Sequence, residues 1–268
     1  MNNVSFLEGL SLAWMLAKRD LKNRYAGSYA GMAWNIGVPL LYALVNVVVF
    51  SILVRGRMGE GYANVPFSLF YFVPFSLWIF FSETVNRSTG ILREYSYLVN
   101  KISFPFWVLP LVPMASALLS QAVIIAITLM LMAYHGMALT THAWGFLFVW
   151  LMCVIFTIGT AYMVSALAVY IPDLSQAVPV AVNIMFWMTP ILYPVALVQE
   201  HGGPVAKALL MDFNPFFYWA EFSRSAIFGA ESAITLLGAG ILLLLSIIVA
   251  IIGALIFKKL KSGFADVL

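Results

Sequence analysis

The sequence predicts an all-α polytopic membrane protein whose six transmembrane helices cross the bilayer. Of the 268 residues, 63% are hydrophobic and 9% are charged, whereas about 25% are charged in soluble domains. Residues 102–172 contain no Asp, Glu, Lys or Arg, a run far longer than the roughly 20 apolar residues that one crossing needs. The charged residues cluster between such runs. These observations argue against a water-soluble fold.

Six apolar stretches are long enough to span a membrane at about 1.5 Å per residue. The predicted spans are residues 30–54, 65–86, 107–134, 144–171, 176–197 and 234–257. The uncharged run that holds the first span is longer than a perpendicular crossing requires, so this helix tilts or begins late. A polar patch within residues 135–142 separates the third span from the fourth, and three prolines interrupt the fifth.

The distribution of cations predicts that both termini lie in the cytoplasm. Six spans place the termini on one side of the membrane. Ten cations fall on that side: Lys18, Arg19, Lys22, Arg24, Arg87, Arg93, Lys101, Lys258, Lys259 and Lys261. Four fall on the opposite side: Arg55, Arg57, Lys207 and Arg224. Because cytoplasmic loops are enriched in Lys and Arg, the side with ten cations is the cytoplasmic side.

Residues 1–24 are predicted to contain an amphipathic helix that lies in the cytoplasmic membrane interface. Phe6, Leu10, Trp14 and Leu21 recur at helical spacing, with charged residues elsewhere around the helix. A basic end and a tryptophan at headgroup level suit a helix that lies on a membrane. The alternative is a segment that only sets the topology of the first span.

Two connecting segments carry patterns that simple loops lack. Residues 88–104 mix charged and apolar residues, so they form either a short helix that docks in a groove of a partner or an amphipathic connector on lipid. Residues 199–231 are too polar for a full span but rich in aromatic residues. They form either a re-entrant or interfacial hairpin, which at membrane depth must be covered by protein or water, or an aromatic loop lying flat.

Glu83 and Arg87 are predicted to form an ion pair near the end of the second span. They are four residues apart with the acid first, which is the favourable orientation on a helix. An ionisable residue near membrane depth is a functional candidate by default. A structural pair at the interface explains the same spacing.

The sequence contains no pattern that predicts catalysis or a metal site. A phosphate-binding loop of the GxxxxGK[ST] type is absent, so this chain lacks the backbone cradle for ATP. His135 and His142 lie in a short turn without a nearby carboxylate, and Cys153 is a single thiol in an apolar run. A secondary transporter would carry acidic or histidine relays inside its spans, or two halves of matching hydropathy, and neither is evident.

Several motifs together resemble the ABC-2 type permeases that export polysaccharides such as O-antigen, capsule and teichoic acid. The motifs, in chain order, are RDLKNRYAGSYAGMAW, SLWIFFSETVNRSTG, LVNKISFPFWVLPL, YIPDLSQ, TPILYP, NPFFYWAEFSRSAIFG and FADVL. They cover nearly the whole chain in order, which is far more specific than any single motif. Pro172, within YIPDLSQ, departs from the charged or polar residue expected in many relatives.

The resemblance implies that the whole chain, residues 1–268, is a single ABC-2 transmembrane domain that is not itself an enzyme. It implies a homodimer that forms a channel in the bacterial cytoplasmic membrane, paired with two nucleotide-binding ATPase subunits. ATP and Mg²⁺ would bind those subunits, with no cofactor and no nucleic acid on this chain. The expected substrate is a polysaccharide linked to a polyprenyl diphosphate. Export of a drug or small lipid by the same architecture is the alternative, followed by a secondary transporter.

The resemblance also implies roles for particular residues. Residues 88–104 resemble the coupling helix that fits the ATPase groove, with candidates Arg93, Glu94, Tyr95, Leu98, Val99 and Lys101. Cations that meet the anionic lipid headgroup at the substrate entrance are Arg19, Lys22 and Arg24, although topology alone also explains them. The first and fifth spans line the channel in similar transporters, which makes Tyr42, Phe50, Phe186, Trp187 and Tyr193 candidates for stacking on sugar rings. The alternative is that these rings face lipid or core.

Overall fold

The computed structural model describes residues 5–24, 28–29, 31, 33–53, 62–99, 104–229 and 236–268. Within these residues all regular secondary structure is helical, so the predicted all-α class is confirmed for them. The helices are α1 (Phe6–Arg24), α2 (Ala33–Leu53), α3 (Phe67–Ser88), α4 (Ile91–Glu94), α5 (Ser96–Val99), α6 (Leu111–Tyr134), α7 (Trp144–Tyr170), α8 (Leu174–Met188), α9 (Val195–His201), α10 (Pro204–Lys207), α11 (Pro215–Phe228), α12 (Leu236–Leu260) and α13 (Phe264–Val267).

Four of the described helices are long and apolar enough to cross a membrane. They are α3, α6 with the turn before it, α7 and α12, and they overlap four of the six predicted spans. The apolar parts of α2 and α8 are shorter, at Gly37–Leu53 and Leu174–Met188. These two helices overlap the predicted first and fifth spans.

The predicted fifth span, residues 176–197, is not one continuous helix. Helix α8 ends at Met188, and Thr189 adopts an extended conformation with ψ of 133°. Proline disfavours the helical conformation in the residue before it, so Pro190 ends the helix at this point. Residues 189–194 then form a turn that leads into α9.

Helix α1 begins at a capping box formed by Ser5 and Glu8. The Ser5 N–H donates to the Glu8 carboxylate at 2.8 Å, and the Glu8 N–H donates to Ser5 Oγ at 3.2 Å. These hydrogen bonds satisfy donors that a helix start leaves open. They also favour the ionised acid, so they lower the pKa of Glu8.

The core is built around α3. Its most apolar stretch is 83% buried, against 22% for α12, so α3 is central and α12 peripheral. Trp78 and Phe81 of α3 pack against Phe216 of α11 at ring-centroid distances of 5.2 and 4.6 Å. Phe156 of α7 and Trp219 of α11 complete this aromatic cluster, with their ring centroids 5.1 Å apart. Helix α11 therefore turns its aromatic residues into the core.

Helices α7 and α12 pack closely at two glycines. A Cβ on Gly159 would lie 2.5 Å from the Val249 carbonyl oxygen, and a Cβ on Gly253 would collide with the Gly159 backbone. Small residues let membrane helices approach at backbone distance, where dispersion contacts stabilise the pair. The two glycines therefore set the separation of these two helices.

A second cluster joins both ends of the chain. Ala13 and Ala17 of α1 pack with Tyr95 and Val108, which lie between α3 and α6, and with Phe264 of the C-terminal helix α13. The N-terminal helix, the segment after α3 and the C-terminal helix therefore meet at the same end of the helix bundle.

Candidate functional site

A cleft of about 600 Å³ opens between α2, α3 and α8. Helix α3 contacts both other helices and forms the wall between them. The lining residues on α2 include Trp34, Val38, Tyr42 and Asn46, each one helical turn from the next. Because residues four apart share a helix face, a single face of α2 is turned towards the cleft.

Aromatic rings make up much of the cleft surface. They are Trp34, Tyr42, Tyr71, Phe75, Trp78, Phe186 and Trp187. Tyr42 is 69% exposed and Trp187 is 53% exposed, so their faces are open to a ligand. Phe186 is held between neighbouring rings, with centroids 5.5 Å from Trp78 and 5.8 Å from Trp187.

Polar side chains also line the cleft. They are Asn46, Ser82, Glu83, Asn86 and Asn183. The Asn46 amide donates to the Tyr71 hydroxyl at 3.4 Å and so fixes two lining residues relative to each other. Amide groups both donate and accept hydrogen bonds, whereas an ionised carboxylate only accepts them. The cleft therefore offers flat apolar faces together with hydrogen-bonding groups.

Three of the five predicted lining residues are in this cleft: Tyr42, Phe186 and Trp187. The other two contact protein instead. Phe50 stacks on Phe67 with ring centroids 6.5 Å apart. The Tyr193 hydroxyl donates to the carbonyl oxygens of Trp187 and Met188, each at 3.2 Å, and so closes the turn after α8.

A cluster of charged residues lies at the end of α3 near the second core cluster. The Arg87 guanidinium pairs with Asp20 of α1 at 2.6 Å and with Glu94 of α4. The sequence predicted Glu83 as its partner, but Arg87 extends towards these two acids, while Glu83 lines the cleft. Arg87 thus ties the N-terminal helix to the segment predicted to couple with a partner.

Part of the predicted coupling segment packs against the rest of the protein. Arg93 donates to the carbonyl oxygens of Ala168 and Val169, at 2.7 and 3.2 Å, and so satisfies the C-terminal turn of α7. Tyr95 is 6% exposed, and burial raises its pKa to about 12. Leu98 is half-buried and Glu94 is bound to Arg87, whereas Tyr97 is 49% exposed.

Some predicted residues lie outside the described part of the chain. They are Lys101 and the side chains of Val99 and Arg24, together with Arg55 and Arg57. Of the predicted entrance cations, Arg19 and Lys22 are exposed on α1. Lys18, on the same helix, lies 5.4 Å from the ring centroid of Trp14.

A buried ionic network that the sequence did not predict surrounds Arg224 of α11. Its side chain is fully buried and pairs with Glu221 at 2.6 Å. It also donates to the carbonyl oxygens of Phe70 and Ile191, at 3.1 and 2.9 Å. The Tyr62 hydroxyl donates to Glu221 at 3.3 Å, and burial together with that carboxylate raises the pKa of Tyr62. Arg224 therefore joins α11, α3 and the turn after α8.

Asn214 adds a second connection to the same turn. Its side-chain oxygen caps α11 by accepting from the Phe216 N–H at 3.0 Å. Its amide nitrogen donates to the Thr189 hydroxyl at 3.1 Å and to the Met188 carbonyl at 3.3 Å. The TPILYP and NPFFYW motifs are therefore in direct contact.

Comparison with known families identifies the chain. The family described as ABC-2 type transporter matches residues 11–228, which include the cleft, the Arg87 cluster and the Arg224 network. The chain belongs to the ABC-2 type transporter family. The family resemblance predicted from the motifs is confirmed.

Three curated relatives of this ABC-2 chain carry the same name, O-antigen export system permease protein RfbA. The protein from Myxococcus xanthus is 29% identical over 256 residues, which are 94% of this chain and 93% of the relative. Two proteins from Klebsiella pneumoniae are 26% and 25% identical over 271 residues, with 99% of this chain and 97% of each relative covered.

Sequence reasoning missed several cleft residues of this ABC-2 chain, among them Trp34, Asn46 and Asn183. A signal for them was present, because they fall on the same helix faces as the predicted Tyr42 and Phe186. Asking which positions lie one or two helical turns from each predicted ring would have found these residues.

Proposed function

We propose that this chain is the membrane-spanning permease subunit of an ATP-driven exporter that moves lipid-linked, O-antigen-like polysaccharide across the bacterial cytoplasmic membrane. The observation that carries the proposal is the cleft, in a chain whose relatives are named O-antigen export permeases. Aromatic faces stack on the apolar faces of sugar rings, while amides exchange hydrogen bonds with hydroxyls. Such a surface holds a glycan without binding one sugar tightly, as export of a polymer requires.

The proposed topology has six crossings: α2, α3, α6, α7, α8 and α12. An even number of crossings returns the chain to the side on which it began. The common cluster of α1, α13 and the segment after α3 supports this. The cation count assigns that side to the cytoplasm. Helices α9 to α11 then form the interfacial or re-entrant segment on the opposite side.

Two copies of the chain are proposed to enclose the channel. Helix α8 has one buried residue, Val182, among those described, and it exposes the polar residues Gln176 and Asn183. Polar side chains at membrane depth face protein or water rather than lipid. A second copy that covers the open side of the cleft provides this environment and closes two clefts into one path.

ATP hydrolysis is assigned to two partner nucleotide-binding subunits, which bind ATP and Mg²⁺. The exposed Tyr97 and the half-buried Leu98, in the segment after α3, form the surface proposed to dock in their groove. Arg87 and Arg93 connect that surface to α1 and α7. A displacement of the docked segment would therefore move both helices.

The cations Arg19 and Lys22 of α1 are proposed to receive the diphosphate of the lipid carrier. Both are exposed at the end of the bundle that holds the docking segment. Charge-assisted hydrogen bonds to phosphate oxygens are stronger than neutral ones. A diphosphate held by these cations would leave the attached sugars free to enter the cleft.

The test is ATP-dependent transfer of a lipid-linked glycan into sealed vesicles that contain the permease and its ATPase. Tyr42→Ala and Trp187→Ala should each lower the initial export rate about 2- to 10-fold, since an aromatic stacking contact contributes about 0.5–1.5 kcal/mol. The matched control is Trp144→Ala, which removes a ring that is 82% exposed and outside the cleft. This control should export at the wild-type rate.

Failure of the wild-type complex to move any glycan would overturn the proposal. ATP-dependent movement of an amphipathic dye without glycan transfer would instead assign the chain to export of drugs or small lipids. Equal losses of export rate in Trp144→Ala and in the cleft variants would show that export does not depend on the cleft.

A further inference from the structure

The lining of the cleft changes character along α3. The described lining residues of this helix recur on one face, from Tyr71 to Asn86. Those from Tyr71 to Ile79 are aromatic or aliphatic, whereas the last three, Ser82, Glu83 and Asn86, are polar. The cleft therefore has an aromatic part and a polar part, and the polar part lies at the C-terminal end of α3.

Asn86 of the polar part has a buried side-chain oxygen to which no described residue donates a hydrogen bond. Among the described residues with such an unpaired buried atom, Asn86 is the one that lines the cleft. An unpaired buried acceptor is costly, and most buried side-chain polar atoms are therefore paired. The side chain is partly exposed, and the terminal torsion of an asparagine is soft. A rotation of the amide, which breaks no bond to this oxygen, therefore turns it towards a donor in the cleft.

The polar part of the cleft adjoins the helix that carries the proposed entrance cations. Arg87, the residue after Asn86, pairs with Asp20 of α1 at 2.6 Å. In the sequence of α1, Asp20 lies between Arg19 and Lys22, the cations proposed to receive the diphosphate. The first sugar of the substrate is bonded directly to that diphosphate. It is therefore the sugar that a bound diphosphate brings to the polar part of the cleft.

We propose that Asn86 belongs to a subsite for the first sugar of the substrate and that its amide oxygen accepts a hydrogen bond from a hydroxyl of that sugar. This inference rests on the proposed function, since it assigns one position of the same substrate to one part of the same cleft. The later sugars lie against the aromatic part, where stacking tolerates differences between sugars. Asn86 is thus a specificity-determining residue for the sugar next to the diphosphate.

The experiment measures binding of single-sugar probes to the purified permease with its ATPase in nanodiscs, without ATP. One probe is a polyprenyl diphosphate that carries a neutral hexose. In a series of analogues, one hydroxyl of that hexose at a time is replaced by hydrogen, and the last probe is the polyprenyl diphosphate alone. In the wild type, removal of one particular hydroxyl should weaken binding about 3- to 10-fold, as the loss of one hydrogen bond predicts. The measured quantity is the ratio of dissociation constants, because contacts with the shared diphosphate cancel in it.

Asn86→Leu should bind the hexose and this deoxy analogue equally well, because leucine has a similar size but no acceptor. Its affinity for the polyprenyl diphosphate alone should match that of the wild type. Asn86→Asp keeps an acceptor oxygen at the same position and should preserve the discrimination between hexose and analogue. The matched control is Asn64→Leu, which changes an exposed asparagine in the turn before α3, outside the cleft, and should leave the ratio unchanged.

The outcomes separate this subsite from the proposed function. Equal affinity of the wild type for the hexose and every deoxy analogue would overturn the subsite, and this comparison needs no variant to fold. A hexose that binds no tighter than the polyprenyl diphosphate alone would overturn it too. Discrimination that persists in Asn86→Leu would assign the hydroxyl to another residue and overturn the role of Asn86. All three results leave the export function standing, since that function fails only if the wild type exports no glycan in the vesicle assay.

Discussion

Replacing Arg224 by methionine should strongly destabilise the protein. The arginine is fully buried, and its partner Glu221 is 8% exposed, so the variant leaves a buried carboxylate without its cation. Removing one member of a buried ion pair costs about 3–5 kcal/mol. The carbonyl oxygens of Phe70 and Ile191 lose their donors at the same time. We expect the midpoint of thermal unfolding to fall by roughly 6–20 °C, at about 2–4 °C per kcal/mol for a chain of this size.

Two further variants distinguish the causes of this loss. Arg224→Met combined with Glu221→Gln removes both charges and should recover more than half of the lost stability, because the buried anion is gone. Arg224→Lys keeps the charge but cannot donate to three acceptors in a planar fork, so its stability should lie between the wild type and Arg224→Met.

The assay measures the midpoint of thermal unfolding of the detergent-purified protein. Unfolding is detected as the loss of the monodisperse peak in size-exclusion chromatography. Lys259→Met is the control, since it removes an exposed cation from the last turn of α12. A wild-type midpoint for Arg224→Met would refute the reasoning. A double variant no more stable than Arg224→Met would show that the uncompensated carboxylate is not the cause.

Three other predictions test the packing, the ion-pair cluster and the docking surface. Gly159→Val should separate α7 from α12 and cost at least about 1–3 kcal/mol as an overpacked contact, measured as a lower thermal midpoint. Arg87→Met should lower the free energy of unfolding by about 1–3 kcal/mol, because Asp20 stays buried after the guanidinium is lost. The thermal midpoints of Arg87→Met, Asp20→Asn and the double variant check this. Tyr97→Glu should reduce export without changing the thermal midpoint, whereas Tyr95→Glu should lower the midpoint because Tyr95 is buried. The vesicle export assay measures the first effect and thermal unfolding measures the second.

The long apolar helices of this protein were predictable in outline because their signals are local. Uncharged runs of membrane length marked the spans, and helical spacing of apolar residues marked α1. The limits of α11 follow from local signals too: Asn214 caps its start, Pro215 occupies its first turn, and Gly229 ends it with φ of 69°.

Several contacts of Arg87 and Arg224 were not predictable because those partners are distant in sequence, although Glu221 is only three residues from Arg224. Helical spacing predicted Glu83 as the ion-pair partner of Arg87. The observed partner Asp20 is 67 residues away and is brought close by the packing of α1. Arg224 was counted among the four cations on the side opposite the termini, but the carbonyl of Phe70 that it binds is 154 residues away. A local pattern cannot show which of two acids a long side chain reaches.

The cleft was predicted in part for the same reason. Tyr42, Phe186 and Trp187 were predicted to line a channel, and all three line the cleft. Phe50 and Tyr193 come from the same regions but face protein, because Phe50 meets Phe67 and Tyr193 folds back on the carbonyls of the turn. Membership of a helix was readable from the sequence, whereas the face that a ring presents depends on the neighbouring helices.

The buried network and the cleft are connected through the end of α8. Helices in lipid gain little from the hydrophobic effect when they associate, so polar contacts and close packing fix their positions. Helix α8 has few buried residues, yet Asn214 binds the Met188 carbonyl and Arg224 binds the Ile191 carbonyl. These two contacts hold the end of the helix that carries Phe186 and Trp187. The position of the aromatic wall of the cleft therefore depends on Asn214 and Arg224, which do not line the cleft, and changes in the network should alter export as well as stability.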